Sequence, residues 1–386
     1  MIGKSTWDYI LIRTCIFILS SIVPLSILYS LTSFAAAFVT PLRVQLPRAP
    51  SFVERWLHVE AAFYILVYLP RRAYLQAAAR HPPLLSREQR RALFQRCHDY
   101  IPDPERYIRK WSRDAPLAEI KRDNVEEFLR WAFFNGTAGP GDEEEMAGYI
   151  RETEELLGRK LEPGRGTARP LRLTLDQVDM LHRSLVWYGV VFAVDAAVSV
   201  YLLYIKGFSF RRLPYPRHLF IFPPRPSTLS LTTPSPAKRL AYWYRPHTSK
   251  TRLPVLFIHG IGIGLFPYAK FLADLTAKHN GEDGEVGVIA VEVLSISSRI
   301  TAEALGREEM CEEIETIVKA HGWDKFVLAS HSYGSVIAAH LLREPRLSKY
   351  IGPLIFIDPI TFLLHLPDVA YNFVSLPRPI LPKDST

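Results

Sequence analysis

The pattern of apolar positions begins with a long uninterrupted run at the N-terminus. Ile16 to Val39 is a run of 24 residues without a charge. At about 1.5 Å of rise per residue, a helix of this length crosses a hydrocarbon core of about 30 Å. We therefore expect residues 1–40 to hold a single N-terminal transmembrane anchor, kinked at Pro24, with its orientation and its membrane left open. A cleaved signal peptide is the alternative, because basic residues precede the run and Ala35–Ala37 fits the small-residue cleavage rule.

A second apolar stretch covers residues 185–205, within a region that otherwise has helical periodicity from residue 41 to residue 213. It carries Asp195 at its centre, and a carboxylate in lipid is costly unless it is paired. The stretch is either a second membrane segment with a functional carboxylate or a helix buried against protein or lying in the interface. Asp195 favours the second interpretation. Seven prolines between Pro214 and Pro236 then indicate a linker over residues 214–238.

From residue 239 to residue 386 the pattern changes to short apolar runs that alternate with helical segments. Strands are predicted at Leu253–His259, Val286–Val293, Phe326–Ala329 and Leu354–Ile357. Helices are predicted at about Pro267–Lys278, Thr301–His321 and Ser335–Leu342. Alternation of this kind is typical of βαβ units and predicts an α/β fold with a mostly parallel sheet.

The third predicted strand runs into the sequence SHSYGS, which fits a nucleophile elbow around Ser332. In that turn the residues two before and two after the nucleophile must be small, because larger side chains would collide. Ser330 and Gly334 meet this requirement. The strand-to-helix context raises Ser332 above the sheet, with a helix N-terminus behind it that favours developing negative charge.

The sequence His259-Gly260-Ile261-Gly262-Ile263-Gly264 follows the first predicted strand. Acyl transfer needs two N–H groups around the oxyanion, and we assign them to Ile261, in this turn, and to Tyr333, after the nucleophile. A plain strand-to-helix turn is the alternative. A P-loop is disfavoured because no Lys-Ser/Thr follows the glycines, and the GxGxG spacing does not fit a dinucleotide fingerprint.

VLFIHGIGIG, SHSYGS and FIDPITFLLHLPDVAYNF together resemble the α/β-hydrolase superfamily, with an AB hydrolase-1 type domain. More narrowly, the chain is similar to fungal membrane-anchored hydrolase-like proteins. The resemblance implies an eight-stranded, mostly parallel sheet and a triad in the order Ser, acid, His. A serine at the nucleophile position implies ester, thioester or amide hydrolysis rather than dehalogenation or epoxide opening.

The remainder of the implied triad departs from the family, because only 54 residues follow Ser332. Asp358 is the candidate acid, with a helix N-cap or turn role as its alternative. His365 is a weak candidate base, only seven residues beyond Asp358, and a local structural role is the alternative. His259 and His331 are assigned a supporting role in the turns, with Gly260, Gly262 and Gly334. We expect a C-terminally truncated sheet in which the family's catalytic histidine is missing.

Charge and composition narrow the classes of partner. The net charge is +8, with a basic excess over residues 71–122 and an acidic excess over residues 123–162. No nucleic-acid-binding module accompanies the basic stretch, which could meet anionic lipid head groups or form a solvated helix face. Three separated cysteines provide no metal or disulfide framework, and we expect no cofactor. Two functions stay open: a membrane-associated serine ester hydrolase acting on a lipidic ester, or a non-catalytic binding or scaffold protein that lacks the base.

Overall fold

The structure is a computed structural model of the whole chain. It describes residues 5–38, 50–77, 79, 81–137, 139, 141–178, 180–215, 220–225, 233–277 and 283–374. The chain divides into two compact units. The first comprises residues 1–70 and 181–361, and the second comprises residues 71–180 and 362–386.

Six strands form one sheet in the first unit, in the spatial order β1-β2-β4-β3-β5-β6. Strands β3, β4, β5 and β6 pair in parallel, whereas β2 pairs antiparallel with β1 and with β4. The predicted mostly parallel α/β sheet is therefore confirmed, with six strands among the described residues where the resemblance implies eight. The strands are β1 (Ser209–Arg211), β2 (Ala241–Arg245), β3 (Val255–Ile258), β4 (Val288–Glu292), β5 (Phe326–His331) and β6 (Ile351–Ile357).

The described residues of both units also form α-helices. They are α1 (Thr6–Phe38), α2 (Ser51–Phe63), α3 (Leu69–Leu75), α4 (Arg87–His98), α5 (Pro104–Trp111), α6 (Arg122–Phe134), α7 (Glu143–Leu157), α8 (Leu185–Val200), α9 (Ala269–Leu275), α10 (Arg307–Ala320), α11 (Gly334–Arg343), α12 (Pro345–Ser348) and α13 (Pro367–Val374). A π-helical turn follows α2 at Tyr64–Tyr68, and another follows α8 at Tyr201–Ile205.

The core of the first unit lies on both faces of the sheet. Strands β3 and β4 are buried along their whole length, which explains why each is a continuous apolar run in the sequence. One face packs against α10 and α11, and the other packs against α8 and α9. Strand β6 lies at the edge of the sheet, where Leu354 and Ile355 stay exposed.

The N-terminal apolar helix is present as α1 and extends over 33 residues. By length and composition, α1 and the helix over residues 185–205 are both long and apolar enough to cross a membrane. Asp195 faces the protein, where it pairs with Arg225 and Arg299. This pairing supports the interpretation of residues 185–205 as a helix packed against protein on at least one side.

The second unit is helical around its own core. A capping box of Ser86 and Gln89 begins α4: the Ser86 hydroxyl accepts the Gln89 N–H, and the Gln89 side chain accepts the Ser86 N–H. Arg90 forms a buried ion pair with Glu145 at 2.5 Å, so the basic and acidic stretches partly neutralise each other within this unit.

Residues 362–374 belong to the second unit, where α13 packs on α5. The boundaries at residues 40, 213 and 238 that the sequence indicates stay predictions. Parts of the proline-rich segment, and the chain around residue 40, fall outside the described residues.

Candidate active site

Ser332 occupies a sharp turn between β5 and α11. Its φ of +49° lies in the left-handed region, which non-glycine residues enter at a cost and which is concentrated at functional sites. The turn is held from both sides: the Ser332 N–H donates to the Ile357 carbonyl at 3.0 Å, and the Ser335 N–H donates to the Ser332 carbonyl at 2.9 Å. Ser332 therefore has the backbone conformation that the elbow motif predicts.

Ser330 and Gly334 must be small because larger side chains would collide with the neighbouring backbone and strands. A Cβ at Gly334 would lie 2.3 Å from the Ile258 carbonyl oxygen, so only glycine fits there. Ser330 is fully buried beside β3, where it pairs in register with Ile258. Both positions are thus fixed by close packing of the elbow on β3.

The glycine-rich turn after β3 lies directly against the elbow. A Cβ at Gly260 would lie 2.9 Å from the Ser332 Cβ and 2.8 Å from His331 Nδ1. Gly262 differs, because a Cβ there would meet no atom within 4 Å. Gly260 is therefore the residue that allows the turn and the elbow to approach each other.

The N–H groups of Ile261 and Tyr333, which we assign to the oxyanion hole, have no acceptor among the described residues. The neighbouring Gly262 N–H, in contrast, donates to the Ile296 carbonyl at 3.1 Å. The Tyr333 N–H lies at the N-terminus of α11, where the helix dipole favours negative charge. The convergence of these two N–H groups on one point stays a prediction.

His259 is a structural residue of the turn. It is fully buried, its Nε2 accepts the Val293 N–H at 3.0 Å, and its Nδ1 lies 2.8 Å from the Gly260 carbonyl oxygen. Because Nε2 accepts, Nδ1 carries the proton and donates to that carbonyl. Burial lowers the pKa of His259 to about 4, with Arg225 contributing in the same direction, so the ring is neutral and both of its nitrogens are occupied.

Tyr268, which belongs to none of the sequence motifs, links the turn to the elbow. Its hydroxyl accepts the Gly260 N–H at 3.1 Å and lies 2.7 Å from His331 Nδ1. Burial raises the pKa of Tyr268, which keeps the hydroxyl protonated. The supporting role predicted for His331 thus has a partner, although nothing in the local sequence pattern points to a tyrosine eight residues after Gly260.

The hydroxyl of Ser332 has no hydrogen-bond partner within the described part of the chain. Asp358 follows β6 at the same end of the sheet, next to the Ile357 carbonyl that binds Ser332, and it is exposed with a φ of +45°. A serine nucleophile needs a base to accept its proton. The structure thus places Ser332 and Asp358, the candidate nucleophile and the candidate acid, at the same end of the sheet.

His365 belongs to the second unit. Its Nε2 lies 3.4 Å from the Tyr100 carbonyl oxygen, and its own carbonyl accepts the Trp111 indole N–H at 3.3 Å. These contacts fit the local structural role that was the alternative to a base. His340 lies near the C-terminus of α11, and partial burial lowers its pKa.

A buried network of charges adjoins the turn. Glu292 ends β4, directly before Val293, and its carboxylate pairs with Arg225 and accepts the Trp243 indole N–H at 2.8 Å. Arg225 also contacts Asp195 at 3.3 Å, and Arg299 contacts Asp195 at 2.8 Å. Burial raises the pKa of Glu292, and the nearby Arg225 opposes this shift. The network connects α8 to Glu292 at the end of β4. The next residue, Val293, donates its N–H to His259.

No family model matches this chain, and no curated protein matches it. Solved structures do show a partial similarity. One is the juvenile hormone epoxide hydrolase of the silkworm Bombyx mori, with a TM-score of 0.26 and 13% identity over 30% of this chain and 32% of that one. Another is a membrane phospholipase A described as a bacterial virulence factor, with a TM-score of 0.29 and 18% identity over 46% of this chain and 49% of that one.

A third similar structure comes from work on carboxylesterases of the thaumarchaeon Nitrososphaera gargenis, with a TM-score of 0.25 and 17% identity over 31% of this chain and 42% of that one. All three are α/β-hydrolase enzymes. The chain matches between about a third and a half of the length of each.

Proposed function

We propose that this chain is a membrane-associated serine hydrolase of the α/β-hydrolase type that attacks carboxylic esters through Ser332. The observation that carries the proposal is the strained conformation of Ser332, held directly against the Gly260 turn. Backbone strain of this kind persists only when the surrounding structure enforces it. Here the close packing of Gly260 and Gly334 enforces it.

In this mechanism the Ser332 Oγ attacks the ester carbonyl carbon, and the carbonyl oxygen becomes an oxyanion. The N–H groups of Ile261 and Tyr333 would donate to that oxygen, each typically contributing a factor of about 10²–10³ to the rate. The alcohol then leaves with a proton, and water hydrolyses the acyl-enzyme. No side chain among the described residues hydrogen-bonds to Ser332 Oγ as a base, so water must take up the serine proton and the solvent must supply the proton of the leaving alcohol; we therefore expect slow turnover. The oxyanion hole and substrate binding alone leave an acceleration of about 10³–10⁴ over water.

The lipidic character of the proposed substrate rests on α1. Several hydroxyl groups of α1 bond within the helix: Ser21 and Ser26, for example, donate to carbonyls one turn earlier at 2.8 and 2.7 Å. This arrangement suits a helix in lipid, where polar groups have no water to bond. An anchor of this kind would bring the site to esters dissolved in the bilayer.

A non-catalytic binding protein is the second candidate function. The free Ser332 hydroxyl and the full occupation of both His259 nitrogens favour it. A protein of this kind would keep the elbow and the oxyanion turn as a binding site for an ester or a carboxylate without completing the reaction.

A fluorophosphonate probe tests the proposal, because it reacts with an activated serine and needs no second substrate. Labelling of the full chain in membranes, and its loss in Ser332→Ala, would support the hydrolase. Ser335→Ala is unsuitable as a control because its hydroxyl holds the turn, so Ser348→Ala on the exposed surface serves instead. If the native chain is not labelled under conditions that label a known serine hydrolase, the binding protein is the better reading.

Hydrolysis of a short-chain p-nitrophenyl ester tests whether His365 is the general base. We expect weak hydrolysis that disappears in Ser332→Ala and persists in His365→Ala. Rapid hydrolysis abolished by both substitutions would contradict this and make His365 the general base.

A further inference from the structure

Helix α8 and its π-helical turn bury polar side chains and expose apolar ones. The residues that face the protein include Asp195 and Ser199, both buried. The outward residues recur at helical spacing and are all apolar or aromatic: Val186, Val190, Ala193, Ala197, Val200 and Tyr204. A surface helix of a soluble protein shows the opposite arrangement, with polar residues outward.

The end of helix α2 and its π-helical turn show the same distribution. Glu60 is fully buried, and both of its oxygens lie 3.0 Å from the Leu185 N–H, at the start of α8. The outward positions from Val59 to Leu69 are apolar, and Leu66 is 73% exposed. Before this stretch, α2 exposes the polar side chains of Arg55 and His58. Arg55 donates to the Ser51 carbonyl at 3.1 Å, and His58 Nδ1 bonds to the Ser30 hydroxyl of α1 at 2.9 Å.

The three helices form one continuous layer within the first unit. Helix α1 packs on α2, where Val23, Ser26 and Ala61 are buried. Helix α2 packs on α8 through the Glu60 contact and through Phe63 and Tyr188, whose ring centroids are 5.7 Å apart. The outward face of the layer is therefore contiguous with the anchor α1.

We propose that the outward faces of α2 and α8 lie in the lipid bilayer beside α1, so that the unit is embedded by a three-helix layer. The bilayer is the occupant because α8 and the end of α2 bury their carboxylates, Asp195 and Glu60, and expose only apolar or aromatic residues. Such an exposed surface is favourable in hydrocarbon and costly in water. The area is also continuous over three helices, whereas soluble monomers rarely expose large contiguous apolar patches. The inference rests on the proposed membrane association but concerns surfaces outside α1.

Site-directed thiol labelling tests this in the full chain, reconstituted in vesicles of phosphatidylcholine and phosphatidylserine. The three native cysteines are replaced by alanine. Single cysteines are then introduced as Val190→Cys on the outward face of α8, Leu25→Cys in α1, and Thr316→Cys on the exposed face of α10 as the aqueous control. Each variant reacts with a membrane-impermeant maleimide.

We expect Val190→Cys to react at least on the order of tenfold more slowly than Thr316→Cys, since the reactive species is the thiolate and each unit of raised thiol pKa lowers it about tenfold. Solubilisation and unfolding in dodecyl sulfate should restore equal reactivity. If Leu25→Cys is protected while Val190→Cys reacts like the control, the layer is refuted and the single anchor is retained. If all three react equally, the proposed membrane association itself fails.

Discussion

His259 makes the Gly260 turn sensitive to acid. Its Nε2 must stay unprotonated to accept the Val293 N–H, and burial lowers its pKa from the ordinary value of 6.5 to about 4. When the turn opens, the ring regains its ordinary pKa. Between pH 6.5 and pH 4 the open state therefore binds more protons than the closed state, and the closed turn loses stability as the pH falls through this window.

The size of the effect follows from the two pKa values. The closed turn loses a negligible amount of stability at pH 7 and about 2 kcal/mol at pH 5, since each unit of pKa difference corresponds to about 1.4 kcal/mol. Hydrogen exchange read by mass spectrometry on peptides covering residues 255–262 and 288–296 measures this opening locally. After correction for the intrinsic pH dependence of exchange, the protection factor should fall about thirtyfold from pH 7 to pH 5.

His259→Gln is the matched variant, because the Gln side chain can accept the Val293 N–H and does not titrate. Protection in this variant should not change between pH 7 and pH 5. His321, whose pKa burial also lowers to about 4, lies on a different part of the sheet and bonds the Tyr242 hydroxyl at 2.8 Å. Equal pH dependence in the native chain and in His259→Gln would refute the assignment to His259.

Two further substitutions have matched controls. Gly260→Ala should lower fluorophosphonate labelling of Ser332 by about a hundredfold, because its Cβ would displace the nucleophile, whereas Gly262→Ala, with open space around it, should label normally. Arg225→Met should destabilise the first unit by roughly 3–5 kcal/mol, because it leaves the buried Glu292 carboxylate without its arginine partner; Lys270→Met, which breaks an exposed pair, should leave the urea midpoint unchanged. Normal fluorophosphonate labelling of Gly260→Ala would contradict the argument from close packing. An unchanged urea midpoint in Arg225→Met would contradict the argument from buried charge.

The elements that the sequence predicts well are those whose requirements are local. The elbow needs small residues two positions either side of Ser332, and a strand before it and a helix after it, all of which are readable in one short segment. Strands β3 and β4 are continuous apolar runs because both of their faces are buried. Boundaries are less accurate: α10 begins at Arg307 rather than Thr301, because Gly306 is its N-cap and the Gly306 carbonyl accepts the first intrahelical N–H, from Met310 at 2.9 Å.

The features that the sequence does not predict depend on distant partners. Strands β1 and β2 mix aromatic and basic residues beside a proline-rich segment, and they gain their place only by antiparallel pairing with each other and with β4. Asp195 indicates a need for a buried cation, but no local pattern shows that Arg225 and Arg299 supply it. The role of Tyr268 cannot be predicted from the local sequence either, because it depends on the contact between the Gly260 turn and the elbow.

The Asp195 pairing also imposes an order of events during synthesis. Helix α8 leaves the ribosome long before Arg299, which lies 104 residues further along the chain. Until that arginine is made, a strongly apolar helix carries a carboxylate with an incomplete set of partners, so full burial of its inner face is postponed. In a translation system without membranes, nascent chains halted shortly before residue 299 should therefore show α8 accessible to protease, and chains halted beyond β5 should show it protected.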